Sequence, residues 1–103
     1  MKDLTSNDSK YEYLLHNFIV KLIPMINVDG VTMGNARSSL VGLDLNRRWT
    51  EPNPGIHPEV YYLKEVMKKL TEENENGISI YCDMHGHNRK FNCFFYGCNK
   101  AAN

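Results

Sequence analysis

The sequence predicts an α/β layered fold, and three segments and their order carry the prediction. Residues 18 to 26 and residues 78 to 82 are apolar runs rich in branched side chains, and an amphipathic segment from Pro58 to about Asn74 lies between them. Apolar runs of this kind are typical of strands that are buried on both faces of a parallel sheet. A helix that connects two such strands covers one face of the sheet, which is the arrangement of an α/β fold.

The first quarter of the chain predicts a helix, a strand and a turn. Residues 8 to 16 are expected to form the end of a helix, and Asp8 or Ser9 can act as its N-cap if the helix begins there. Pro24 cannot donate to a sheet ladder, so it is expected at an edge or near the end of the first strand. Residues 27 to 30, Asn-Val-Asp-Gly, have the composition of a turn.

A long polar segment and the clearest helix follow this turn. Residues 31 to 57 exceed the length of an ordinary connection, and such loops tend to be functional. The helix begins at Pro58, an allowed first-turn position, and Gly77 ends it, after which residues 78 to 82 and 91 to 96 are candidate strands. The apolar stripe of the helix consists of Val60, Leu63, Val66, Met67 and Leu70.

Composition narrows the class of protein. The 103 residues fit one small domain, and 12 basic residues balance 12 acidic ones, so no net charge favours nucleic acid or an anionic membrane as partner. No apolar run approaches the roughly 18 residues of a membrane span, and the N-terminus is too polar for a secretory signal. We therefore expect a cytoplasmic protein. Its odd number of cysteines, Cys82, Cys93 and Cys98, does not predict a disulfide framework.

A histidine segment follows the second predicted strand. Binding sites of open α/β sheets form at the carboxyl ends of strands, and here Asp83, His85 and His87 lie in that position with Gly86 between the two imidazoles. Catalytic zinc sites use such histidines, and a nearby acid orients the ring. The spacing alone leaves a second interpretation open, in which one histidine caps the strand by a hydrogen bond and the other is solvated.

The arginines are the second candidate for chemistry. All of them lie in the long polar segment or in the histidine segment, which favours a local anion site. Arginine presents a planar fork of donors that matches a carboxylate, and an asparagine amide can add a donor. Structural salt bridges are an equally open interpretation. The arginines are Arg37, Arg47, Arg48 and Arg89, the asparagine is Asn46, and the available acids are Asp44, Glu51 and Asp83.

Two further patterns imitate metal sites. His57-Pro58-Glu59 lacks the H-x-x-E spacing of a zinc motif, so we interpret it as a helix start. A small structural zinc module is the other possibility, although cysteine within an apolar strand is commonly a small hydrophobic residue. Its ligands would be Cys82, His85, Cys93 and Cys98.

Five motifs, taken in order, resemble the cytosolic carboxypeptidase branch of the zinc metallocarboxypeptidases. They are IPMINVDGV at 23 to 31, GNAR at 34 to 37, DLNRRW at 44 to 49, CDMHGHNRK at 82 to 90 and FYGC at 95 to 98. Several ordered motifs are far more specific than one. The resemblance implies a partial α/β/α sandwich with a mostly parallel mixed sheet, and residues 1 to 103 would be the central part of a single catalytic domain.

The resemblance also implies a role for four residues and a zinc cofactor. His85 matches the third zinc ligand, Arg37 matches the arginine that stabilises the oxyanion, and His87 has no ligand role. Asn46 and Arg47 match the pair that holds the terminal carboxylate of the substrate. Members of this branch remove C-terminal or side-chain glutamates from protein tails such as those of tubulin, with a zinc-activated water as nucleophile.

Departures from the family pattern separate the parent enzyme from this chain. The first two zinc ligands of the family form an H-x-x-E motif, which is absent here, and Val28 stands where the family usually has proline. The catalytic glutamate and a substrate-binding tyrosine lie beyond the matched motifs. We therefore expect an internal fragment that alone neither holds zinc tightly nor hydrolyses peptides, and that associates through uncovered apolar faces. The alternative is a non-catalytic module that binds acidic C-terminal tails.

Overall fold

The computed structural model describes residues 9 to 97, apart from the side chain of residue 10, and contains three α-helices in that range. They are α1 (Ser9–Asn17), α2 (Val28–Thr32) and α3 (Pro58–Glu73). A 3-10 turn, Leu45–Arg47, lies between α2 and α3. The candidate cap Asp8 and the candidate ligand Cys98 lie outside the described residues.

Two helices are confirmed with nearly the predicted bounds. Helix α1 includes residues 9 to 16 of the segment predicted as helical, and α3 begins at Pro58 as expected and ends at Glu73. On α3 the stripe is buried most deeply near the N-terminus, where Val60 is 1% exposed, whereas Val66 is 48% exposed. The amphipathic pattern thus predicted both the helix and the face that packs.

The segments predicted as strands have no sheet partner between residues 9 and 97. The only strand-type pairing in that range is a single antiparallel bridge between Ser38 and Asp44. An apolar run marks residues suited to a sheet. A strand forms only where a neighbouring strand accepts and donates the ladder hydrogen bonds. Residues 18 to 26, 78 to 82 and 91 to 96 lack that neighbour here. The α/β sandwich therefore stays a prediction.

The predicted turn at residues 27 to 30 is instead the start of α2. The Asn27 side chain caps the helix, because its Oδ1 accepts from the Gly30 N–H at 3.1 Å, and its Nδ2 donates to the Ser38 carbonyl at 3.1 Å. Gly30 has a negative φ, unlike Gly34, Gly42 and Gly77. A Cβ at Gly30 would overlap the Asn27 amide and would lie 2.5 Å from the Ser38 carbonyl oxygen. Glycine is required here for close approach, not for a left-handed conformation.

The long loop between α2 and α3 folds back on itself at residues 38 to 44. The Ser39 N–H donates to the Leu43 carbonyl at 2.8 Å, and the Gly42 N–H donates to the Ser39 carbonyl at 3.0 Å. Gly42 has a φ of +75°, which glycine adopts without strain. The hairpin-like reversal brings residue 37 alongside residue 44.

Polar contacts join the end of the loop to α3. The Lys64 ammonium donates to the carbonyl oxygens of Trp49 at 2.6 Å and Thr50 at 3.2 Å. His57 precedes α3 as its N-cap, is buried, and accepts the Asn53 N–H on its Nδ1 at 3.1 Å. Its role is therefore local and structural, in agreement with the interpretation of this segment as a helix start.

The chain leaves much of its apolar surface exposed. Its accessible surface is 9507 Å², whereas a compact monomer of its 11.9 kDa mass would expose about 5,900 Å². Its radius of gyration is 16.4 Å, against about 13 Å for a compact domain of this length. None of the helices in the described part of the chain is long and apolar enough to cross a membrane. The buried hydrophobic side chains are Leu45, Val60 and Leu63.

We predict that Val60→Ala destabilises the chain and that Val66→Ala, on the same helix, does not. Val60 is 1% exposed and Val66 is 48% exposed. Removing the two buried methyl groups of Val60 should cost about 1.5 kcal/mol or more of unfolding free energy. The exposed substitution should stay within about 0.5 kcal/mol. Urea unfolding followed by circular dichroism measures both, and equal losses would contradict the placement of Val60 in the core.

We also predict that Asn27→Ala exposes the Gly30 amide while Asn27→Asp retains its protection. Alanine removes the cap acceptor, which should speed exchange of the Gly30 amide about fivefold, equivalent to about 1 kcal/mol. Aspartate keeps an oxygen for the Gly30 N–H but loses the donor to the Ser38 carbonyl. NMR hydrogen exchange measures the difference, with Asn76→Ala as the control on an exposed asparagine. Unchanged exchange in Asn27→Ala would refute the cap.

Candidate anion and metal site

Asp44 joins the two ends of the loop reversal. The Arg37 Nε donates to Asp44 Oδ2 at 2.6 Å, and the Asn46 N–H donates to Asp44 Oδ1 at 3.0 Å. The backbone bridge between Ser38 and Asp44 places the arginine and the carboxylate side by side. One carboxylate therefore contacts both predicted substrate-facing segments of the loop.

The 3-10 turn Leu45–Arg47 presents Asn46 and Arg47 to solvent. Its first residue, Leu45, is buried and anchors the turn, whereas the next two residues are exposed. The Trp49 Nε1 donates to Asn46 Oδ1 at 3.1 Å, which occupies the acceptor of the amide. The Asn46 Nδ2 is therefore the end of the amide that remains as a donor.

Arg47 and Arg37 differ in their partners. Arg37 forms the ion pair with Asp44, so the salt-bridge interpretation is correct for this arginine. Within residues 9 to 97, Arg47 forms no salt bridge, and its Nη1 makes only a long 3.4 Å contact with the Asn46 carbonyl. Arg48 has a buried Nε without a hydrogen-bond partner in the same range. Arg47 thus presents an exposed guanidinium that forms no ion pair there.

The electrostatics of Asp44 reflect these contacts. The hydrogen bond from Arg37 lowers the pKa of Asp44 below its ordinary value, partial burial opposes that shift, and the Asn46 N–H adds to the lowering. The positive charges of Arg37 and Arg47 lower the pKa further. Asp44 is therefore an ionised anchor for the loop at neutral pH.

The histidine segment has the local geometry that the sequence indicated. His85 Nε2 lies 2.8 Å from Asp83 Oδ2, which leaves Nδ1 as the ring nitrogen without a partner among the described residues. His87 Nδ1 accepts the N–H groups of Arg89 at 3.1 Å and Lys90 at 3.0 Å. His87 therefore stabilises the backbone at residues 89 and 90. His85 has the acid-oriented ring expected of a metal ligand.

A complete metal centre is not assembled in the part of the chain that the structure describes. No group of three or more histidine, cysteine, aspartate or glutamate side chains lies there in a position to hold an ion. Cys82 and Cys93 are free and exposed, so neither is a small buried hydrophobic residue, and Cys98 is outside the described range. The structural zinc module is therefore not formed by residues 9 to 97.

An aromatic contact connects the arginine loop to the histidine segment. The rings of Trp49 and Tyr81 meet edge to face with centroids 6.2 Å apart. Burial, followed by the nearby Asp83 and Cys82 charges, raises the pKa of Tyr81. No hydrogen bond or salt bridge between described residues joins His85 to Arg37, Asn46 or Arg47. Asp44 and the backbone of Asn46 thus connect the three loop residues to each other, and the bonded partner of His85 is Asp83.

Asp44 and Trp49 are the two residues whose roles the sequence did not reveal. Asp44 was only one of three acids available to the arginines, and Trp49 was part of a motif without a role of its own. Their positions offered one signal: both flank the Asn46-Arg47 pair, and Trp49 is the only tryptophan of the chain. Side-chain hydrogen bonds to the turn become visible only when the loop is folded.

We predict that acid disrupts the loop in the wild-type chain through Asp44. Because the folded-state pKa of Asp44 is lowered, the stability contributed by its ionised form is complete above the ordinary value of about 4 and is lost as the pH falls through the folded-state pKa. Trp49 fluorescence between pH 7 and pH 2 reports this loss. In Asp44→Asn that component should be absent, and superposable titrations of the two chains would contradict it.

Comparison with known proteins places the chain in a family. A family model described as zinc carboxypeptidase matches residues 1 to 102. Mouse cytosolic carboxypeptidase 1 is 46% identical over 95 residues, which cover 92% of this chain and 8% of that protein. Human cytosolic carboxypeptidase 4 is 44% identical over 95 residues, again 92% of this chain and 8% of the relative. No solved structure matches.

The relatives confirm the resemblance on which the sequence interpretation was based. The chain spans about 8% of the length of these relatives. The family model nevertheless matches residues 1 to 102 of the 103-residue chain. The chain therefore belongs to the zinc carboxypeptidase family, in its cytosolic carboxypeptidase branch.

Proposed function

We propose that this chain supplies the substrate-anion side of a zinc carboxypeptidase that hydrolyses C-terminal residues of protein or peptide tails. In this proposal Asn46 and Arg47 bind the terminal carboxylate, Arg37 faces the scissile carbonyl, and His85 is one zinc ligand. The exposed guanidinium of Arg47, which forms no ion pair among residues 9 to 97, and the adjacent Asn46 amide, whose Nδ2 has no acceptor in that range, carry the proposal. A planar guanidinium and an amide together match the two oxygens of a carboxylate.

The arrangement of Arg37 supports its role. Asp44 contacts only the Nε of Arg37, so both terminal nitrogens lack a hydrogen-bond partner among the described residues. The side chain is 66% exposed despite the ion pair. A guanidinium held from one side in this way can present its other donors to the charge that develops on a carbonyl oxygen during hydrolysis.

Zinc-dependent hydrolysis is a property of the family, and this chain is proposed to contribute one zinc ligand to it. A catalytic zinc takes three protein ligands, and residues 9 to 97 bring no three candidate ligands together. His85, with Asp83 on its ring, is suited to be one ligand only. We therefore expect the isolated chain to bind zinc weakly and to lack hydrolytic activity. The residues of this chain are not proposed to carry out hydrolysis by themselves.

The proposed substrates are acidic tails, with terminal or side-chain glutamates such as those of tubulin, and the proposed location is the cytosol. The substrate class comes from the resemblance to the deglutamylating branch, and the location comes from the names of the cytosolic relatives. The loop favours acidic ligands, because arginines at 37, 47 and 48 lie within 12 residues of sequence. Positive charge concentrated in this way attracts an anionic peptide.

A second candidate is a module that binds acidic C-terminal tails without cleaving them. The absence of a three-ligand cluster between residues 9 and 97 favours it for the isolated chain. Both candidates use the same loop, so they differ only in turnover. Stoichiometric zinc with carboxypeptidase activity in the purified chain would exclude the second candidate and our expectation of inactivity.

We predict that Arg47→Ala weakens binding of a peptide that ends in glutamate with a free carboxylate. Loss of a charge-assisted contact should cost about 1.5 to 3 kcal/mol, equivalent to roughly tenfold to a hundredfold in affinity. Trp49 fluorescence measures the titration in the 103-residue chain. Amidation of the peptide C-terminus should weaken binding to the wild-type chain to a similar degree.

Lys68→Ala provides the matched control, because it removes one positive charge from an exposed position on α3. Its affinity for the peptide should stay within about twofold of the wild type, since distant surface charges are largely screened. Equal losses in the Lys68 and Arg47 variants would indicate a general charge effect. Equal affinity for the free and amidated peptides would refute carboxylate recognition.

A further inference from the structure

We propose that Asp44 is a positioning residue that holds Arg37 and the Asn46-Arg47 turn in a fixed relation to each other. The inference depends on the proposed function of the loop and adds a residue that the resemblance leaves without a role. Asp44 touches neither the substrate carboxylate nor the scissile carbonyl in this scheme. It acts through the groups that do.

The two carboxylate oxygens of Asp44 have separate partners. Oδ2 accepts from Arg37 Nε at 2.6 Å, and Oδ1 accepts from the Asn46 N–H at 3.0 Å. The Asp44 backbone carbonyl also accepts the Arg47 N–H at 3.1 Å. A single residue thus bonds to both parts of the proposed anion site, and a displacement of its side chain would move them together.

The charge and exposure of the pair support a positioning role. The Asp44 side chain is 25% exposed, whereas that of Arg37 is 66% exposed. The carboxylate is therefore the more enclosed partner, and the guanidinium extends from it toward solvent. An ion pair between two mobile surface side chains would contribute little to stability. Here Asp44 is already held by the turn that it caps.

Removal of the Asp44 charge should change the affinity for an anionic peptide in the direction opposite to that expected from electrostatics alone. Removal of a negative charge beside an anion site should strengthen the binding of an anionic peptide. If Asp44 positions Arg37, removal of the charge should instead weaken binding, because the guanidinium is no longer held toward the last peptide carbonyl. The two effects can therefore be separated by direction and not only by size.

The test uses Asp44→Asn in the 103-residue chain. Asparagine retains an oxygen to accept the Asn46 N–H, so the 3-10 turn should persist, but it loses the charge that holds Arg37. We expect about fivefold weaker binding of the glutamate-ending peptide, the size of one charge-assisted contact partly lost. Asp44→Glu, which restores the charge, should recover part of the affinity.

The same substitution in an Arg37→Ala background provides the decisive comparison. With no guanidinium to position, Asp44→Asn should no longer weaken binding and should leave affinity unchanged or raise it, a non-additive result. Weakening of equal size in both backgrounds would overturn the proposal in favour of a general structural effect. Unchanged or tighter binding in Asp44→Asn alone would also overturn it.

Two controls keep the outcomes distinct. Hydrogen exchange of the Asn46 amide reports whether the turn survives in Asp44→Asn, and lost protection together with lost binding in both backgrounds would indicate unfolding of the turn rather than positioning. Arg47→Ala and the amidated peptide test the carboxylate site itself. If those two leave affinity unchanged, the proposed function fails. If they weaken binding while Asp44→Asn does not, only the role of Asp44 is refuted.

Discussion

Polar side-chain hydrogen bonds hold the long loop between α2 and α3, because the loop buries little of its apolar surface. Leu45 is its one buried hydrophobic residue among those described. Asn27 ties the start of α2 to the Ser38 carbonyl, Asp44 ties the reversal to the 3-10 turn, and Lys64 ties the loop's end to α3. Each of these bonds satisfies a backbone group that no regular sheet or helix would satisfy. The geometry of the candidate site depends on them.

This mode of stabilisation explains how an open chain can orient the side chains of the candidate site. Among the described residues most large apolar side chains remain exposed, and three hydrophobic residues are buried. Hydrophobic burial therefore fixes α3 and the base of the 3-10 turn, but it does not orient Arg37, Asn46 or Arg47. Asp44 orients Arg37 and Trp49 orients Asn46, because each hydrogen bond occupies one side of the group and no other described residue accepts from its remaining donors.

Helices α1 and α3 were predictable because their signals are local. Proline at the first position and apolar residues three and four apart define α3 without reference to the rest of the chain. Strands differ in that their hydrogen bonds join residues distant in sequence, and the predicted strands find no partner between residues 9 and 97. The prediction of a turn at residues 27 to 30 was wrong for a related reason: Asn27 uses its side chain as a helix cap and as a link to Ser38.

The sequence by itself determined the family, the approximate positions of α1 and α3, and the residue types available for anion and metal binding. These follow from motif order, helical periodicity and the chemistry of single side chains. Only the tertiary structure decided that Arg37 pairs with Asp44, that Arg47 has no acidic partner in the described range, and that Gly30 serves close approach. Such outcomes depend on which groups the folded backbone brings within hydrogen-bond distance, and residue order does not encode those distances locally.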